Sequence, residues 1–343
     1  MRCDLKDPTQ SWKTWRAGHS RNSRKGTASR CINSTAEPIK TWVKRGQYWN
    51  RYSMPQRLGI ECVAHEGVVR SITKVGIMRR ILVTGSGGII GGHVVHLLRQ
   101  SDANIEVVKF ADDLTDMAQT TAAIEAAAQI DGVIHLAAMV AVDQVKSDPA
   151  RAYAVNAGGT FNLLGAIAQT GQKPHVFQCS SAHVYAPQNT AISEDSTTQP
   201  ISLYGRTKLM AEIAATDICD THDIPLCIGR VFSIHDEGQT GPYLRPNILR
   251  RLEQEDLSLP FDLYGADSSR DFLTAREAAQ IIVDLALGRY VGVINIGSGT
   301  PTLVRDFVQG LTQTPLNIRH LGGHDCLLAD ITRLIAFKEK ADG

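Results

Sequence analysis

Residues 84–91 read Thr-Gly-Ser-Gly-Gly-Ile-Ile-Gly and stand between an apolar run, Ile81-Leu82-Val83, and a helical pattern from Ile89 to Leu98. A glycine-rich turn joining a strand to a helix leaves few folds open. Gly85, Gly88 and Gly91 recur at three-residue spacing. The first permits a tight turn, the second lets backbone approach a pyrophosphate, and the third lets helix pack closely on strand. The helix N-terminus then offers N–H groups and the positive end of its dipole to the phosphates. A glycine pattern alone is weak evidence; its strand–turn–helix setting makes it informative.

The chain beyond this turn alternates. Ile105 to Phe110 reads as a strand, Asp116 to Gln129 as an Ala-rich helix and Gly132 to Ala137 as a buried strand. Val176–Cys179 and Leu226–Ile228 supply later strands. Alternating strands and helices imply a parallel sheet covered on both faces, with ligands at the carboxyl ends of its strands. The expected fold is α/β, a Rossmann-type doubly wound parallel sheet.

Charge divides the chain. Residues 1–77 hold 15 Lys/Arg against 5 Asp/Glu and all four Trp, whereas the whole chain carries a net charge of only +1. The basic residues are scattered and hydrophobic periodicity is poor there. This segment reads as a disordered extension or as sequence upstream of a natural start at Met78, rather than a nucleic-acid-binding arm. The seven Cys show no metal-ligand spacing and read as reduced thiols. No apolar run approaches membrane-spanning length, and the first residues lack a secretory apolar core. A cytoplasmic protein with no membrane or nucleic-acid partner and no bound metal is expected.

Tyr204-Gly205-Arg206-Thr207-Lys208 opens a helical stretch, and the spacing of four puts Tyr204 and Lys208 on one face. An isolated phenol, with a pKa of about 10, is a poor base at neutral pH. A nearby ammonium or an oxidised nicotinamide ring favours the phenolate, so Tyr204 is a candidate to exchange a proton with a substrate hydroxyl or carbonyl. Ser180-Ser181 follow the strand Val176–Cys179, where Ser181 is suited to hold the same oxygen. His135 reads as a packed core histidine; His183, two residues past Ser181, is a candidate to face substrate. The acidic residue expected at the cofactor ribose is not evident. Glu106 falls inside a strand pattern, Asp113 is placed to meet adenine, and Lys109 or Arg99 is available for a 2′-phosphate, so NAD and NADP both stay open.

These residues resemble the NAD-dependent epimerase/dehydratase family, the extended short-chain dehydrogenase/reductases that act on nucleotide sugars. The carrying motifs are TGSGGIIG at 84–91, DLTD at 113–116, HLAA at 135–138, VNAGGTFNLL at 155–164, CSSAHVYA at 179–186, YGRTK at 204–208, RDFL at 270–273 and INIGSG at 294–299. The resemblance implies that Gly85, Gly88 and Gly91, with Ile89 and Ile90 between them, hold a pyrophosphate. It implies Asp113 and Leu114 beside adenine, Ala137 and Ala138 lining the cofactor channel, and Asn156 supporting the cofactor or the Tyr–Lys pair. Ser181, Tyr204 and Lys208 would be catalytic; His183, Ser233 and Arg270 would face a nucleotide-sugar substrate. It also implies a small C-terminal substrate lobe, drawn from about 233–270 and 295–343 of a domain spanning 78–343, and a homodimer formed through the helices carrying Asn156 and Tyr204.

Departures narrow the member. The second strand and its helix look shortened or absent between Gln100 and Asp112, and Ser233 replaces the family's usual Asn. Ala141-Val142-Asp143 resembles 4-keto-6-deoxysugar reductases, whereas Ser181-Ala182-His183-Val184-Tyr185 resembles 4-epimerases. Ala182 and His183 occupy the positions of the Asp-Glu pair that dehydratases use to expel water, which argues against 4,6-dehydration. The sequence thus points to an NAD(P)-dependent epimerase or reductase of a nucleotide sugar. The alternative is a non-catalytic, dinucleotide-binding regulator of the same fold.

Overall fold

A computed structural model of the chain describes residues 78–101 and 104–342. The reading of residues 1–77 as an extension lies outside the described residues.

The first strand, β1 (Arg79–Thr84), leads through the glycine turn into α1 (Ile89–Gln100). There follow β2 (Ile105–Phe110), α2 (Met117–Ala126) and β3 (Gly132–His135). Asp116 begins α2 by accepting hydrogen bonds from the Ala118 and Gln119 amides. This satisfies amides that have no partner inside the helix. Two short helices, α3 (Val142–Ser147) and α4 (Pro149–Tyr153), lead through a π-helical turn (Ala154–Gly158) into α5 (Gly159–Gln169). Then come β4 (His175–Ser181), a 3₁₀ turn (Ala182–Val184), α6 (Leu203–Thr221) and β5 (Leu226–Val231). After a smaller insertion, α8 (Ala275–Leu287) and β9 (Gly292–Ile296) close the series.

Six strands form one sheet in the order β2-β1-β3-β4-β5-β9, and every pairing in it is parallel. The side-chain period of two sends alternate residues to opposite faces. Ile81, Val83, Ile134, Phe177 and Cys227 join the core under α1 and α8. Their neighbours Leu82, Val133, Val176 and Ile228 join the core on the opposite face, with residues of α2, α5 and α6. This is the doubly wound α/β sheet expected from the alternating pattern. β2 is present in full but forms the sheet's edge beside β1, in register from Arg79↔Ile105 to Thr84↔Phe110.

The insertion supplies β6 (Ser233–His235), α7 (Leu244–Gln254), β7 (Phe261–Tyr264) and β8 (Ser269–Thr274). The C-terminal part adds β10 (Pro301–Leu303), α9 (Val304–Gln309), β11 (Ile318–Leu321), β12 (Cys326–Leu327) and α10 (Thr332–Asp342). β8 collects β6, β10 and β12 around itself, and β11 pairs with β7. Ile248, Phe261, Leu263, Ala266, Val304 and Val308 make a separate small core. α10 instead packs Leu334 and Phe337 against the α1–α8 core. No described helix is long and apolar enough to cross a membrane.

Candidate active site

The glycine turn has the geometry its spacing demands. Gly85 takes φ +65°, and a Cβ there would lie 2.6 Å from the Ala137 amide nitrogen. A Cβ on Gly91 would overlap the Gly85 carbonyl oxygen, so only glycine lets α1 start this close to β1. The Gly88 amide donates to the Gly85 carbonyl at 3.0 Å, and α1 begins with no side-chain cap. The first turn, Ile89-Ile90-Gly91, thus heads the helix with backbone alone, at the carboxyl edge of β1. Ala137 and Ala138 are half-buried just past β3, and the Ala137 backbone lies against this turn.

Beneath the turn runs a buried polar chain. The Leu136 and Ala137 amides each donate to Thr84 Oγ1 at 3.1 Å. Thr84 Oγ1 lies 2.6 Å from His135 Nδ1, and His135 Nε2 lies 3.0 Å from Thr160 Oγ1. Thr160 in turn donates to the Asn156 carbonyl. With its lone pairs used by two amides, Thr84 donates to Nδ1, and His135 carries its proton on Nε2. Burial, then the charge of Lys208, lowers the His135 pKa to about 3, so the ring is neutral. It is the satisfied core histidine expected from its buried strand.

Tyr204 and Lys208 occupy the first turns of α6, which starts at Ser202, whose hydroxyl accepts the Gly205 amide at 3.0 Å. Lys208 is 3% exposed. Ser181 ends β4, and its hydroxyl comes near enough to the Tyr204 phenol to favour its ionised form. One residue of the YGRTK motif enforces this meeting without bearing chemistry. A Cβ on Gly205 would overlap the His183 carbonyl oxygen, so glycine lets α6 press against the turn that follows Ser181. Asn156, in the π-helical turn, is 1% exposed. Its amide nitrogen donates to Thr207 Oγ1 at 2.8 Å and to the Met139 carbonyl at 3.0 Å, and its oxygen accepts the Met139 amide at 2.7 Å. Thr207 donates onward to the Tyr204 carbonyl. Asn156 therefore ties the loop after β3 to the start of α6.

The electrostatics differ from the sequence expectation in one respect. Burial raises the Tyr204 phenol well above its ordinary pKa; Cys179 raises it further and the Ser181 hydroxyl opposes them. Burial lowers the Lys208 ammonium, with Cys179 and Glu212 opposing. The cleft alone disfavours phenolate.

A second buried network, not foreseen from the sequence, lies behind the serine. Ser180 donates to Glu212, whose carboxylate is gripped by Arg230 through Nε at 3.0 Å and Nη2 at 2.7 Å. The available signal was that Glu212 stands four residues after Lys208, on the same helical face.

On the opposite side of the cleft, the His183 and Tyr204 rings lie edge to face with centroids 6.0 Å apart. Burial within the cleft wall lowers the His183 pKa, the charge of Arg270 lowers it further, and Asp325 opposes. Arg270, on β8, is thus brought into electrostatic contact with the loop that follows Ser181. Its companion Asp271, which without the resemblance would be read as half of a surface pair, is fully buried. It accepts the Ser298 amide at 2.6 Å and hydroxyl at 2.7 Å, the Gly299 amide at 2.9 Å and the Ala329 amide at 3.2 Å. Ser233 opens β6 in register with Phe272, two residues from Arg270 on the neighbouring strand.

At the adenine side, Asp113 is exposed and accepts from Thr115 at 2.9 Å and from Arg151 Nη2 at 3.2 Å, bonds that hold its carboxyl below the ordinary range. Leu114 is buried, with its carbonyl accepting from Asn162. Glu106 is engaged by Arg80 through both carboxylate oxygens, at 2.9 and 3.1 Å. Arg99, considered for a 2′-phosphate, sits in the last turn of α1. Lys109 is exposed on β2, beside Val83.

Fold and site together define a Rossmann-type α/β protein with its glycine turn and its Ser181 and Ala137 segments at the carboxyl edge of a parallel sheet. The chain belongs to the NAD dependent epimerase/dehydratase family, whose sequence model matches residues 81–297. A UDP-glucose 4-epimerase from Azospirillum brasilense is 30% identical over 272 residues, which cover 68% of this chain and 77% of the relative. A GDP-6-deoxy-D-talose 4-dehydrogenase from Aggregatibacter actinomycetemcomitans is 31% identical over 213 residues, 60% of this chain and 69% of the relative. The solved structure of MoeE5 in complex with UDP-glucose and NAD superposes with a TM-score of 0.64 at 26% identity, covering 75% of this chain and 91% of that one.

Proposed function

We propose that the chain is an NAD- or NADP-dependent enzyme that moves hydride and proton at a carbinol carbon of a nucleotide sugar, as an epimerase or a reductase. The observation that supports this reading is the placement of Ser181 at the end of β4 and of Tyr204 and Lys208 at the start of α6, together with a turn after β1 whose Gly85 and Gly91 leave no room for a Cβ. The residues fit a dinucleotide: Gly85, Gly88, Ile89, Ile90 and Gly91 would hold its pyrophosphate, and Ala137 and Ala138 would line its path. Asp113 and Leu114 would flank adenine. When bound, the nicotinamide supplies the hydride chemistry.

Ser181 holds the reacting oxygen by hydrogen bond, next to the Tyr204 hydroxyl. In the oxidising direction Tyr204 Oη takes the sugar hydroxyl proton; in the reducing direction it returns one to the carbonyl oxygen. The buried phenol needs positive charge close by to ionise near neutral pH, which an oxidised nicotinamide and Lys208 provide together. Asn156 holds the start of α6 in place through Thr207. His183, Ser233 and Arg270 face the nucleotide sugar, with the Arg270 guanidinium suited to a diphosphate.

The homologous 4-epimerase and 4-dehydrogenase support hydride transfer at a sugar carbon and leave its direction to experiment. We further propose a cytoplasmic homodimer. Phe161 of α5 and Met210 and Ile213 of α6 are each at least 50% exposed, which supports an interface along these helices.

The test follows nicotinamide absorbance after mixing the full chain and NADH or NADPH with 4-keto-6-deoxy nucleotide sugars. Stoichiometric loss of absorbance establishes a reductase. Interconversion of UDP-glucose and UDP-galactose without net cofactor turnover establishes an epimerase. Failure of both reactions, with no dinucleotide retained, overturns the proposal.

A further inference from the structure

Arg270 is already bound by an acidic residue of its own chain. Its Nη2 donates to Asp325 Oδ1 at 2.8 Å, and its Nη1 donates to the Ser269 carbonyl at 2.9 Å and the Asp325 carbonyl at 3.4 Å. Backbone pairing fixes this meeting. β12 runs parallel to β8 with Cys326 opposite Ser269 and Leu327 opposite Arg270, so Asp325 enters that strand beside the arginine. The Ser269 amide donates to the Asp325 carbonyl at 2.9 Å, and Ser268 Oγ accepts the Asp325 amide at 3.2 Å. The two side chains differ in freedom: Arg270 is 24% exposed and Asp325 60%. Both act on His183, whose ring borders Tyr204.

We infer that Asp325 is an affinity- and specificity-setting residue: it occupies Arg270 as an internal counter-anion that an incoming phosphate group must displace. The inference rests on the reading of Arg270 as a diphosphate ligand. Exposed ion pairs held through one carboxylate oxygen are weak and fall off with salt. A diphosphate brings more charge than a carboxylate and presents two oxygens to a guanidinium fork, so it outcompetes Asp325. A ligand offering one carboxylate gains nothing over the aspartate already there. Once displaced, Asp325 remains tied by its backbone to β8, close to the bound anion, and continues to weaken it by like-charge repulsion. The site thereby favours ligands with a bidentate polyanion and releases nucleotide product readily.

Calorimetric titration of the full chain with UDP, GDP and dTDP, alongside NAD and NADP, tests this. Asp325→Asn is expected to tighten the best-bound nucleoside diphosphate roughly three- to tenfold at low ionic strength, with the gain shrinking as salt rises and dinucleotide affinity unchanged. In an Arg270→Gln background, the same substitution is expected to give a distinctly smaller gain, because the competition has been removed. Unchanged or weakened diphosphate binding in Asp325→Asn overturns the inference and makes Asp325 a support for Arg270. An equal gain in both backgrounds also overturns it, leaving only long-range repulsion. Failure of all three diphosphates to bind either protein, with dinucleotide still bound, instead brings down the nucleotide-sugar reading itself.

Discussion

Gly205 lies against the carbonyl oxygen of His183 so closely that no Cβ fits between them. The contact sets how near Tyr204 comes to Ser181, because the glycine follows one and the carbonyl lies two residues past the other. Gly205→Ala forces α6 and the turn after Ser181 apart. Overpacking of this kind costs about 1–3 kcal/mol, and small displacements of reacting groups lower rate steeply. Turnover should fall by roughly a hundredfold or more while thermal stability drops by only a few degrees; kcat and a melting curve check it.

Tyr204→Phe removes the proton-transfer group. The expected outcome is a loss of about 10²–10⁴ in kcat with dinucleotide affinity preserved, read by steady-state kinetics and cofactor titration. In the wild-type oxidising reaction the phenolate is the active form, so the rate should rise with pH. The raised phenol places that limb at higher pH in kcat/KM for any form lacking positive charge beside it. The Phe variant should lose the limb altogether.

His135 links acid sensitivity to the cofactor loop. Its pKa is lowered from 6.5 to about 3 in the fold. The folded state then binds fewer protons than the unfolded chain, so the contribution is fully present above about 6.5 and is lost as pH falls toward 3. The slope within this window approaches about 1.4 kcal/mol per pH unit for this one group. Urea unfolding at pH 7, 5.5 and 4 should show the decline, and His135→Gln should flatten it.

Asp271 is buried beneath Arg270 and accepts three backbone amides and a hydroxyl from Ser298, Gly299 and Ala329. Asp271→Ala strands these donors in the interior. A loss of about 3–5 kcal/mol in stability is expected, together with a weakened nucleoside diphosphate site, since Arg270 loses its anchored neighbour. Chemical denaturation and diphosphate titration report the two effects separately.

The proposed dimer face gives a fifth outcome. Met210→Glu with Ile213→Glu places charge on exposed apolar positions of α6 without touching buried residues. Sedimentation should shift the wild-type dimer to a monomer, while a wild-type monomer would remove the interface proposal.

Much of this was legible from local patterns. The glycine turn, the alternation of Leu82 with Ile81 and Val83, and the Tyr204–Lys208 spacing each follow from short-range geometry, and the structure has them as read. His135 was readable as a core residue because it stands in a continuous apolar strand. Other features had no local signature. Asp271 follows Arg270 in a stretch that looks like solvent-exposed charge, and only the packing of β8 against the Ser298 and Ala329 segments buries it. In the Arg230–Glu212–Ser180 network only Glu212 had a local signal, its spacing of four from Lys208, whereas Ser180 and Arg230 reach it from other elements.

The sequence by itself determined the parallel α/β architecture, the phosphate turn and the chemical identity of Ser181, Tyr204 and Lys208, since these depend on periodicity, on backbone freedom at glycine and on side-chain chemistry. Tertiary structure alone decided which charges are buried and which meet. It paired Arg270 with Asp325, 55 residues away, sent α10 to the α1–α8 core and left the Tyr204 phenol raised by burial. Such pairings arise from strand register and from the exclusion of water, both of which are properties of the assembled layers rather than of any stretch of chain.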